Sequence, residues 1–119
     1  MKTKEDLARG IENYITAIRP AALEEDIGSR IMISMLSTEL FKLVLKEYIP
    51  KEQDREMINW IISSGAKAVI IEEEAEDRTQ GVEMLRYTLF KMLLGNVPEE
   101  PEKYPQEPVE EVEIKSLLN

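Results

Sequence analysis

Three features of the 119-residue sequence predict an all-α fold, a four-helix bundle-like single domain with a disordered acidic C-terminal tail. Apolar residues recur at three- and four-residue steps along most of the first 96 positions, the period of helices that bury one face. Pro20, Pro50 and Gly95 fall at the ends of these runs, where helices start and stop. After Asn96 the composition changes abruptly to VPEEPEKYPQEPVEEVEIKSLLN, with four prolines and seven glutamates. The helical domain is therefore placed at 1–96 and the tail at 97–119.

Thr3 followed by Asp6 has the spacing of a capping pair, so the first helix is expected to start there. Leu7, Ile11, Tyr14, Ile15 and Ile18 mark its buried face. Pro20 disfavours helical geometry at Arg19, and the chain is expected to bend at Arg19–Pro20. The step Leu23, Ile27, Ile31, Met35 predicts a second helix from Pro20 to about Tyr48. A competing reading ends a short helix at Gly28 and caps the next with Ser29. Ile31 to Ile49 is apolar at twelve of nineteen positions, which makes it the expected central helix, with Pro50 closing it.

Pro50 also suits the opening of a third helix, with Glu52, Asp54 and Glu56 near its positive end and Ile58, Ile61, Ile62, Gly65 and Val69 along one face. Gly65 on that face would let a neighbouring helix approach closely. The stretch from Ala66 to Glu74 reads as helix, because a short strand there would lack a partner in the body. Val82, Leu85, Leu89, Met92 and Leu93 define the last helix, with Met84 and Phe90 widening its face and Gly95–Asn96 ending it. Gly81 marks its joint with the preceding helix, unless the two are one helix through Glu76. No internal repeat is apparent.

The formal net charge of −9 is unevenly spread: 1–50 contribute −1, 51–96 contribute −3 and 97–119 contribute −5. This balance disfavours nucleic acid and anionic membranes as partners, since both attract clustered Lys and Arg. Glu39, Lys42, Lys46 and Glu47 interrupt the central apolar stretch, so no membrane insertion is expected, and the N-terminus lacks the apolar core of a signal peptide; a cytoplasmic location is expected. With no cysteine and no histidine, thiolate sites and the commonest general base are excluded. Serines have neither a glycine-framed elbow nor a base to activate them.

Candidate sites are few. Glu72, Glu73, Glu74, Glu76 and Asp77 form the densest charge cluster. On one helix Glu72 would neighbour Glu76, and Glu73 would neighbour Asp77, a repulsion that a cation such as magnesium would relieve. Glu72, Glu76 and Asp77 are the candidate ligands. The all-helical nucleoside triphosphate pyrophosphohydrolases hold magnesium through two separated acidic pairs. Here Glu73–Glu76 and Glu74–Asp77 overlap in one patch, and Glu24, Glu25 and Asp26 match no such spacing. The leading reading of the cluster is a solvated acidic stretch. Trp60 is either a core residue, the commoner role for a lone tryptophan, or an interface anchor. Six methionines are expected to serve as adaptable packing. In the tail, Val112, Ile114, Leu117 and Leu118 restore apolar character and suit either a binding arm or a segment folding back on the body. Together these features predict a non-enzymatic helical protein–protein interaction module without a cofactor, a subunit or accessory factor of a larger complex. The same apolar faces would also form a homodimer. The alternative is a magnesium-dependent nucleotide phosphohydrolase.

Overall fold

The computed structural model describes residues 3–99. Its helices are α1 (Lys4–Ala22), α2 (27–48), α3 (Glu52–Ile71) and α4 (Ala75–Leu94), and no strand occurs among the described residues. Each helix packs on its two neighbours in the ring: α1 and α3 both lie against α2 and α4. This is the predicted four-helix, bundle-like arrangement. The tail from Glu100 onward, including Val112, Ile114, Leu117 and Leu118, lies outside the described residues.

Helix α1 begins as its sequence predicts. The Thr3 hydroxyl accepts from the Asp6 amide at 3.1 Å, and the Asp6 carboxylate accepts from the Thr3 amide at 3.2 Å. Leu7, Ile11, Tyr14, Ile15 and Ile18 are all buried, and α1 carries the most continuous core face of the molecule. The helix does not bend at Arg19–Pro20; it continues through Pro20 to Ala22. Pro20 is exposed near the helix end, so it gives up one internal hydrogen bond, while continuing the helix buries Ala21 and Ala22. Arg19 also ties this end to α4 through a two-pronged pair with Glu83, at 3.0 and 3.1 Å.

The second helix therefore starts later than the four-residue step suggested. Asp26 is its cap, accepting from the Ser29 amide at 3.0 Å and the Ser29 hydroxyl at 3.1 Å, so neither Pro20 nor Ser29 opens it. A tightened turn at Ile31, where the Ser34 amide reaches the Ile31 carbonyl at 2.9 Å, separates Ile27–Arg30 from Met32–Leu40. The wider π turn Phe41–Leu45 follows, then Lys46–Tyr48. Ile49 is extended before Pro50. This helix is less central than its composition implied: Ile33, Leu40, Leu45 and Ile49 are buried, but Ile31, Met32 and Met35 face outward.

The joint between α3 and α4 lies at 72–74, where Glu72 and Glu74 take extended conformations. Helix α3 thus ends at Ile71, short of Glu74, and Gly81 sits inside α4 instead of at the joint. Both glycines serve close packing. A Cβ on Gly65 would come within 2.6 Å of the Leu85 side chain, and one on Gly81 within 2.7 Å of Val69. Gly95 ends α4 with a left-handed φ of 81° and donates to the Lys91 carbonyl at 3.1 Å.

Candidate interaction surfaces

The bundle is closed at one end by two arginines. Arg78 is fully buried, and its guanidinium donates to the carbonyls of Ala22 (2.6 Å), Glu72 (2.7 Å) and Glu73 (2.8 Å) and to the Glu25 carboxylate (2.9 Å). Arg30, also buried, donates to Ile70 (2.8 Å), Glu24 (2.8 Å) and Glu25 (2.9 Å). Every backbone acceptor of Arg78 has a counterpart 48 residues away in the set belonging to Arg30. Each arginine fastens the turn of its own hairpin and reaches the last turn of the first helix in the other. A guanidinium suits this role because its donors lie in a fixed planar fork, and because helix ends leave carbonyls without internal partners.

The same offset relates buried pairs along the helices: Tyr14 with Ile62, Ile18 with Ala66, Ala21 with Val69, Ala22 with Ile70, and Ser37 with Leu85. The two hairpins thus correspond around the arginine clamp; the correspondence does not extend along the whole of the first and third helices, where buried Leu7, Ile11 and Ile15 have Arg55, Asn59 and Ser63 at the same offset. Few identities mark the relation. What survives is Leu-Glu-Glu-Asp with Arg four residues beyond the Asp (23–30) and Ile-Glu-Glu-Glu with Arg at the same distance (71–78). That spacing was the available signal for Arg30 and Arg78, to which the sequence pattern alone assigned no role.

The arginine clamp also explains the acidic cluster. Glu72 ends α3 and Glu76 begins the first turn of α4, so they are not stacked neighbours on one helix. Glu72, Glu73, Glu74, Glu76 and Asp77 are all exposed, and among the described residues no group of three or more carboxylates is placed to hold a metal ion. A third arginine, Arg86, lies 5.0 Å over the Phe90 ring and bonds Glu12 (2.8 Å) and the Pro98 carbonyl (2.9 Å), fixing the start of the tail between α1 and α4. Inside the bundle, Ser37 gives its hydroxyl proton to the Ile33 carbonyl at 2.7 Å, so the Tyr14 hydroxyl donates to Ser37. Burial pushes the Tyr14 hydroxyl above its ordinary pKa.

The outer surface departs most from expectation. Trp60 is 69% exposed and is not a core residue. Met32, Met35, Met57, Met84 and Met92 are exposed as well, leaving the core to Leu, Ile, Val, Ala and Phe with Tyr14. Between α3 and α4, Ile61, Gly65, Ala68, Gly81, Met84 and Thr88 line an uncharged groove of about 190 Å³. Met57 and Met92 line a second hollow at its end, beside Tyr48 and Pro50. Gly65 and Gly81, which permit the close α3–α4 approach, both line this groove beside the exposed Met84.

No helix among the described residues is long and apolar enough to cross a membrane. Comparison with known protein families, curated proteins and solved structures finds no match to this chain, which leaves its own surface to carry the functional reading.

Proposed function

We propose that the chain is a helical protein–protein interaction module that docks a partner protein on the outward face of α3 and α4. One observation carries this reading: Met57, Trp60, Met84 and Met92 project from these two helices with 42 to 69% of their surface exposed, Met84 on the uncharged groove and Met57 and Met92 on the neighbouring hollow. Single exposed apolar residues are ordinary, but a shared face holding three methionines and the one tryptophan has the composition of a binding surface. Methionine adapts its shape to a partner, while tryptophan supplies large contact area at little entropic cost. The same face would serve a second copy of the chain, which sedimentation of the purified protein distinguishes from a foreign partner.

Affinity capture from native extract with the full chain and with Trp60→Glu/Met84→Glu tests the proposal. A partner bound in stoichiometric amount by the first and lost by the second supports it. Equal capture by both moves the interface elsewhere.

A further inference from the structure

The end of the bundle where the 23–26 and 72–74 turns meet leaves an aliphatic side chain exposed at each turn. Leu23 is 57% and Ile71 60% exposed there. Leu23 and Ile71 are equivalent positions of the two hairpins, each the last apolar residue before an acidic turn. The Arg78 guanidinium, bonding both Ala22 and Glu72, holds the two turns one side-chain width apart.

The surroundings select the occupant. All eight acidic side chains of 24–26 and 72–77 are exposed, whereas the only basic residues of 22–31 and 70–79, Arg30 and Arg78, are buried with their donors on backbone carbonyls and, for Arg78, on Glu25, which leaves seven carboxylates of this end without an arginine partner among these segments. A second copy of this end would bring like charge against like charge. The chain's own 97–119, with seven acidic and two basic residues, would do the same. A basic partner meets no such repulsion.

We infer that this end of the bundle docks a basic amphipathic segment of another protein, its apolar side resting on Leu23 and Ile71 and its Lys or Arg residues facing the surrounding carboxylates. The aliphatic contact supplies affinity and the carboxylates steer approach and orientation. This surface is separate from the α3–α4 groove and stands or falls without it.

The test is fluorescence anisotropy with the full chain and a labelled Lys/Leu amphipathic helical peptide, against a Glu/Leu peptide of the same pattern. The wild type binds the Lys/Leu peptide and not its counterpart. Leu23→Ser/Ile71→Ser weakens binding at least about tenfold, equivalent to roughly 1.4 kcal/mol. The tail variant Glu110→Gln/Glu111→Gln/Glu113→Gln binds as wild type. No binding by the wild type, undiminished binding by Leu23→Ser/Ile71→Ser, or loss of binding in the tail variant overturns the inference, the last by revealing diffuse attraction to the tail. Circular dichroism confirms folding of each variant. Should Leu23→Ser/Ile71→Ser unfold, the exposed pair Glu24→Lys/Glu72→Lys decides: loss of peptide binding supports the docking end, and retention overturns it.

Discussion

Replacing Arg78 with Met isolates the energetic role of the clamp. The substitution keeps much of the buried volume but withdraws every donor from the carbonyls of Ala22, Glu72 and Glu73. A buried acceptor left without its partner costs about 1–3 kcal/mol, and carbonyls at a bundle end regain part of that from water. Three acceptors near the lower limit give a loss of about 3 kcal/mol, from which apolar packing of the new side chain recovers about 1 kcal/mol. Glu25 is exposed and returns to solvent at little cost. The net expectation is about 2 kcal/mol, or a fall in melting temperature of roughly 8–16 °C for a domain of this size. Arg30→Met removes the equivalent donors from Ile70, Glu24 and Glu25 and is expected to fall within about 1 kcal/mol of Arg78→Met. Thermal melts followed by circular dichroism, with urea titration to confirm two-state unfolding, read both values. A melting temperature of Arg78→Met within a few degrees of wild type would refute the argument that these guanidinium bonds close the bundle.

Other expectations concern the core, its titration and the surface. Tyr14→Phe removes the hydroxyl that donates to Ser37 and should cost about 1 kcal/mol in urea titration at neutral pH. Because burial raises the Tyr14 pKa, the wild type keeps this group's full contribution below pH 10 and loses it as pH rises through the folded value; the pH dependence specific to Tyr14 disappears in Tyr14→Phe. The Thr3 amide, then the Arg9 guanidinium, hold the Asp6 carboxyl below its ordinary pKa of 3.8. Its contribution to the α1 cap is therefore present above that value and lost as pH falls through the lower folded one, and amide exchange in the first turn of α1 should quicken there. Gly65→Ala places a methyl carbon against Leu85 and should destabilise by about 1–2 kcal/mol despite the better helix propensity of alanine; an unchanged or raised melting temperature would mean that Leu85 gives way freely. Trp60→Ala should leave stability within about 0.5 kcal/mol of wild type, since the ring is mostly exposed, while reducing partner capture.

The elements were legible where local chemistry decides them. Thr3 with Asp6 started α1, Pro50 pushed Ile49 out of helix, and Gly95 ended α4, each through a capping or backbone preference that acts within a few residues. The boundaries that misled were set from a distance. Pro20 argues locally for a bend, but burial of Ala21 and Ala22 carries the helix past it. Glutamates at 72–74 argue locally for continued helix, but Arg78 gathers two of their carbonyls into a turn. Apolar spacing also cannot separate a core face from a docking face, because both repeat at the helical period; this is why Met84, Met92 and Met35 read as core and lie outside. The correspondence of the two clamps is hidden in the sequence because backbone carbonyls carry it, and the side chains at the same offset differ, as Ser37 and Leu85 illustrate.

Oxidative footprinting of the methionines by mass spectrometry tests the interaction reading most directly. In the purified chain Met57 and Met84 should oxidise readily together with Met32 and Met35, since each exposes half or more of its surface. In native extract Met57, Met84 and Met92 should become protected while Met32 and Met35 remain reactive, because a partner seated on α3 and α4 covers only the first group. Equal oxidation of all five in extract and in purified protein would contradict the account and leave the α3–α4 face a bare surface.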